Sequence, residues 1–276
     1  QMNALSLFAL IGLLCSGGTA QASAKATLNT KTLEMVVRSN IYIYGTEANA
    51  KIAKDIQNEI NMMWNRPEAY VGVDGLYYLT KFDVRVSPIP EKSAELLLKW
   101  NTDPLNNYVR VEKYDYIERS FMTKLGANTG YFVTTDKLGF STTAAHEFGH
   151  GLGLEHPEDA DYRTNGRPGI MYPRGSLVDA KYQWDPKAAA GEKGGTMNSI
   201  HRFVRKVDVR NVSFYKLAFT YVKNGDNITG TANIGNVDNT FYKKQVDLST
   251  PALAGCVDCD LDITSARHGD FSIQDN

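Results

Sequence analysis

Between residues 33 and 44 the chain runs LEMVVRSNIYIY, and this crowding of β-branched and aromatic side chains predicts a buried strand. The pattern then changes period. Ile52, Ile56, Ile60, Met63 and Trp64 recur at helical spacing and predict a helix with one apolar face, with Thr46 available as its cap. Phe82, Val84 and Val86 alternate with polar residues, as do Val109 and Val111, and Tyr131-Phe132-Val133 makes a third candidate strand. A helix over residues 142–152 follows. The predicted order is therefore strand, helix, three strands, helix. Farther on, Ile200, Phe203, Val204 and Val207 return to helical spacing and predict a closing helix.

Two ends of the chain read differently. Residues 4–14 form an apolar run of the length of a signal-peptide core, too short to span a bilayer, and small residues follow it. Residues 1–24 are thus expected to be a signal peptide cleaved after Ala22 or Ala24, which makes the protein secreted or periplasmic. Cys15 gives a lipoprotein as the rival reading, but the bulky Leu14 before it argues against lipidation. Beyond residue 217 the chain breaks into short alternating segments, such as 219–222 and 241–246, between Asn, Gly and Asp clusters. These predict a small β-rich appendage over residues 218–276, behind a main domain over residues 25–217. The fold class expected is α+β.

Composition narrows the function. With 276 residues and 42% apolar content, the chain can bury a sizeable core and is not a disordered segment. A formal net charge of −1 gives no general electrostatic reason to bind nucleic acid or an anionic membrane. Cys256 and Cys259 form a C-x-x-C pair, which in an exported protein suits a local disulfide.

The chemistry concentrates in residues 146–157, HEFGHGLGLEHP, which hold three of the five histidines. On a helix, His146 and His150 stand one turn apart on the same face and can share one metal ion. Glu147 can lean toward that ion without binding it, where a general base is wanted. Gly153 falls where a helix ends on a residue of positive φ, and the reversal brings His156 to the same ion. Three neutral nitrogens with one open position suit a catalytic Zn²⁺.

H-E-x-x-H-x-x-G-x-x-H resembles the signature of the metzincin zinc peptidases, which also carry a methionine turn downstream. Gly169-Ile170-Met171-Tyr172-Pro173 is similar to such a turn. Met-Tyr-Pro resembles the matrixins, whereas Pro157 after the third histidine resembles the serralysins, and residues 174–198 are similar to metallopeptidase domains of bacterial polymorphic toxins. The resemblance implies a metzincin-like fold over about residues 33–217. Its parts are a twisted, mostly parallel sheet, a backing helix, the zinc helix, and a methionine turn with a closing helix beneath.

The resemblance further implies His146, His150 and His156 as zinc ligands, Glu147 as the base and Met171 as a support under the histidines. Tyr172 is only a weak catalytic candidate, and Asp208 falls where matrixins carry an aspartate that anchors the turn. Residues 130–134 would be a sheet edge that pairs with a protein or peptide substrate bound as an extended strand. Residues 174–185 would shape the pocket beyond the scissile bond. The activity implied is zinc-dependent peptide-bond hydrolysis by a secreted endopeptidase. Alternatives are a zinc hydrolase of cell-wall peptide or amide bonds, a toxin-type effector, and a binding module with a vestigial site. Restraint by the C-terminal segment, or by an inhibitor or immunity protein, stays open. Glu158, Asp159 and Asp161 offer oxygens for Ca²⁺ without the spacing of a regular calcium loop.

Overall fold

A computed structural model describes residues 23–246. Apart from Val246 these belong to the first of two units, residues 1–245. The expected signal core, Cys15, the Cys256/Cys259 pair and His268 lie outside the described residues.

The fold is α+β, a mixed sheet with a few helices. In chain order the elements are β1 (Ser23–Asn29), β2 (Glu34–Tyr44), α1 (Ala50–Asn65), β3 (Tyr70–Val73), β4 (Leu76–Pro88) and α2 (Glu91–Lys99). There follow β5 (Asn106–Glu112), β6 (Phe121–Met122), β7 (Thr129–Val133), α3 (Thr143–Gly151), α4 (Lys206–Asn211), β8 (Thr220–Asn224) and β9 (Asn227–Gly235). Among the described residues no helix is long and apolar enough to cross a membrane.

The centre of the sheet is β2. On one side it pairs in parallel with β4 along nearly its whole length. Its other side is shared: β1 runs antiparallel to residues 34–38, and β5 runs parallel to residues 40–44. Ser39 sits at the fork, where its hydroxyl donates to the Ser23 carbonyl at 2.9 Å. Asn107 Nδ2 donates to the same carbonyl and to Ser39 Oγ, both at 2.8 Å. Backbone groups that the diverging strands leave unpaired are satisfied in this way.

α1 covers the sheet because its sequence gives it one apolar stripe, with Ile56, Ile60, Met63 and Trp64 all buried. Each such side chain contributes on the order of 2 kcal/mol. Its cap is Asn49, whose side chain accepts from the Ile52 amide; Thr46 instead bonds Glu112 through both its amide and its hydroxyl. Trp64 carries the packing onward. Its ring meets Phe82 and Phe148, and its indole N–H donates to the Ala145 carbonyl at 3.0 Å. Helix α3 is thereby fixed to α1 by both apolar contact and a buried hydrogen bond.

Several expectations are corrected. Residues 220–235 do not stand apart as an appendage: β9 pairs antiparallel with β1 over seven residues and joins the main sheet. Residues 241–246 form no strand, because the backbone of Tyr242 is held by the Tyr44 hydroxyl and by Arg110. The closing helix is shorter than its pattern, since residues 202–205 are not helical and α4 begins only at Lys206. Ile200 and Val207 are exposed, so the apparent helical stripe was two unrelated pieces. Finally, β7 is no sheet edge. It is paired in parallel with β5 and antiparallel with β6, and β6 is the terminal strand.

Candidate metal centre

Helix α3 is held at its N-terminal end by partners far away in the chain. Its N-cap, Thr142, takes a left-handed conformation with φ 68° and gives no side-chain cap. Glu59 of α1 acts in its place, Oε1 accepting from the Ala145 amide at 2.9 Å. The Thr142 hydroxyl is used otherwise, donating to the Ser199 carbonyl at 2.6 Å and accepting from Arg202 Nε at 3.0 Å. At the other end the helix stops as its sequence predicts. Gly153 has φ 88°, and the Leu154 amide turns back to the Gly149 carbonyl at 3.0 Å.

This reversal brings His156 to the other two histidines. The Nε2 atoms of His146, His150 and His156 are separated by 3.2, 3.1 and 3.2 Å, a nearly equilateral triangle. The orientation of their protons follows from their neighbours. His146 Nδ1 lies 2.7 Å from the Ile170 carbonyl and His150 Nδ1 lies 2.8 Å from the Leu154 carbonyl. A carbonyl only accepts, so each Nδ1 carries the proton and each Nε2 presents a lone pair to the centre of the triangle. The Nε2 lone pairs of His146 and His150, 3.2 Å apart, repel one another unless a cation joins them. The cluster can hold a metal ion, and among the described residues no other His, Cys, Asp and Glu group has this property.

Burial holds the imidazoles in the ligating form. It lowers His146 well below its usual value and brings His150 and His156 to about 4, with the charges of Arg202, Arg119 and the neighbouring histidines adding to the effect. Glu147 is buried beside them. Burial raises its carboxyl to about 8, while Arg202, Arg119 and the Met122 amide pull the other way.

Residues 169–173 pack against α3. Met171 is buried, and its sulfur occupies the space that a Cβ on Gly149 would need, with Trp64 on the other side. Ile170, one residue earlier, supplies the carbonyl that orients His146. Asp208 does reach this turn, but through Arg205. The two form an ion pair at 2.8 Å, and the guanidinium packs against Gly169 and the Tyr172 ring. Tyr172 packs at a tilt against Tyr162, in a cluster with Val178 and Met197 that contains none of the three histidines.

Residues 174–185 approach the helix at their start, Arg174 pairing with Asp136 at 2.5 Å. His201 faces Tyr182 and takes no part in the cluster. Asp161 pairs with Arg163 in an exposed turn, which accounts for its charge without a cation. Sequence reasoning missed Arg202 and Glu59, the buried ions around α3. Neither belongs to a motif, and each meets the helix across 60 or more residues.

Compared with known proteins, the chain matches no family model and no curated sequence.

Proposed function

We propose that the chain is a zinc-dependent endopeptidase of the metzincin type, acting on extended protein or peptide substrates. One observation carries the reading: three Nε2 atoms converge to within 3.2 Å of one another, and two of the rings have their Nδ1 protons bound elsewhere. Nitrogens held tetrahedrally by one zinc at its usual bond length stand about 3.3 Å apart, close to the spacing here. Neutral nitrogen donors also favour zinc over calcium or magnesium, which take oxygen. When bound, zinc would polarise the scissile carbonyl and acidify a water.

The remaining steps belong to the chain's own groups. Glu147 takes the proton of the attacking water and returns it to the leaving amine, a shuttle typically worth about 10²–10⁴ in rate. Burial suits it to that task, since a base works best with a pKa near the operating pH. His146, His150 and His156 stay neutral and fix the reacting centre, and the Ile170 and Leu154 carbonyls keep two of the rings from rotating. With β7 enclosed, pairing with an extended substrate falls to the outer side of β6, the terminal strand among the described residues, whose Met122 amide faces Glu147.

The test is cleavage of a mixed peptide library by wild type, chelator-treated wild type and Glu147→Ala, read by mass spectrometry. Activity in untreated wild type alone is expected. A zinc-loaded wild type that leaves every peptide intact but cuts cell-wall fragments would replace this reading with the cell-wall one.

A further inference from the structure

At the N-terminal end of α3 lies a cavity of about 180 Å³, enclosed by α1, residues 139–142 and residues 200–204. Arg66, Arg167 and Arg202 line it, against a single carboxylate, Glu59. None of the three guanidinium groups forms an ion pair among the described residues. Arg202 donates to the Thr142 hydroxyl and the Tyr172 carbonyl, and Arg167 donates to the carbonyls of His201 and Arg202. Arg66 faces Arg167, and its charge adds to burial in lowering Arg167 from its usual value. Glu59 hydrogen-bonds none of the three guanidinium groups: one oxygen accepts from the Ala145 amide and the other has no hydrogen-bond partner.

Glu147, Glu59 and Asp136 act on Arg202 through their charges, whereas Arg66 and Arg167, nearer the surface, have no ion-pair partner among the described residues and leave the outer part of the cavity positive. The rim has the opposite character. Met62, Phe140 and Ile200 are exposed at 67%, 70% and 49%, forming an apolar lip around the charged interior. An apolar mouth with a few converging polar groups is the usual make-up of a ligand site, and a volume near 150 Å³ already admits a benzene-sized group.

The cavity and the histidine cluster are both built on helix α3. Thr142, in its wall, stands one helical turn, about 5 Å, before His146. Arg202, in the same wall, lies close enough to Glu147 for their charges to interact.

We propose that this cavity receives an acidic side chain of the substrate, Asp or Glu, its carboxylate held by Arg66, Arg167 and Arg202. The proposal rests on the peptidase reading and names its substrate class: peptides with an acidic residue at a fixed position near the cut. Arg202 forms the buried floor, while Arg66 and Arg167 reach the acid from nearer the surface.

The experiment has two arms. In the first, the zinc-loaded chain is titrated with N-acetyl-aspartate N-methylamide and with its asparagine counterpart, by calorimetry, which needs no turnover. Wild type should prefer the aspartate probe about tenfold, the size of one charge-assisted hydrogen bond. The preference should shrink to about twofold or less in the Arg66→Gln/Arg167→Gln variant, checked for wild-type zinc content and melting temperature. Equal affinity for the two probes in wild type, or a preference that survives in the variant, overturns the proposal. In the second arm the peptide library is cut by both proteins. Acidic residues should be enriched at one position in wild-type products and not in the variant's. Cleavage without acidic preference overturns the proposal and leaves the peptidase reading standing. A silent library together with arginine-dependent binding of aspartate confirms the carboxylate site and sinks the peptidase reading.

Discussion

The sulfur of Met171 fills the space that a side chain on Gly149 would occupy. Helix α3 and the turn at residues 169–173 therefore approach as closely as they do because the residue just before His150 has no Cβ. Gly149→Ala is expected to force them apart. Overpacking of this kind costs roughly 2 kcal/mol and should lower the melting temperature by about 5 °C. Because the neighbouring Ile170 carbonyl orients His146, zinc affinity should fall as well. Thermal melting and competition against a chromogenic chelator would check both, and wild-type values in this variant would remove the close-packing argument.

Glu147 and His150 should separate catalysis from metal binding. Glu147→Gln is expected to keep one zinc per chain and lose at least about 10²-fold in turnover. His150→Ala should lose the metal itself. Metal analysis beside a turnover assay distinguishes the two, and a Glu147→Gln protein with normal turnover would exclude the base role.

Chelation gives a stability readout that needs no substrate. A ligand that binds only the folded state stabilises it by about 2.7 kcal/mol at a hundred times its Kd. Added zinc should therefore raise the melting temperature of the stripped wild type and leave that of His150→Ala unchanged.

Asp115 supplies a pH dependence away from the metal. It is fully buried, and burial raises its carboxyl from 3.8 to about 6. The folded protein then binds a proton more tightly than the unfolded chain, so this contribution is present below pH 3.8 and is lost as pH rises through about 6. Asp115→Asn, which keeps an acceptor for the Arg119 amide, should be the more stable protein at pH 7, by about 1–2 kcal/mol, and equal to wild type near pH 4. Urea melts at the two values test it, and identical curves at pH 7 would refute it.

Glu59 should matter to the helix it does not belong to. Glu59→Leu removes the acceptor for the Ala145 amide and is expected to cost about 1–3 kcal/mol. Glu59→Gln retains a carbonyl oxygen and should recover most of that loss in the same melts.

How far the sequence could be read follows from the range of the forces involved. The metal cluster was legible because His146 and His156 are only ten positions apart, and helix period and turn glycine together fix their geometry. Helix α1 and strands β2, β4, β5 and β7 were legible because each carries its own apolar pattern. β1 was not, since SAKATLN has one large apolar side chain, Leu28, among mostly small residues, and its burial is decided by β2 and β9 on either side. β6 has two residues and no period at all. The supports of α3 were hidden for a different reason. Glu59 lies 86 positions from the amide it caps and Arg202 lies 60 from Thr142, so no local window contains both partners.

The pairing of β9 with β1 has a consequence for the order in which the molecule can form. The first described strand waits for one of the last, and about two hundred residues must be made between them before that seam can close. Such long-range pairing slows folding and leaves the edge of β1 bare in the meantime, a template for wrong partners. A chain ended at residue 217, as the change in sequence pattern there would invite, would keep all three clustered histidines and still carry that bare edge permanently.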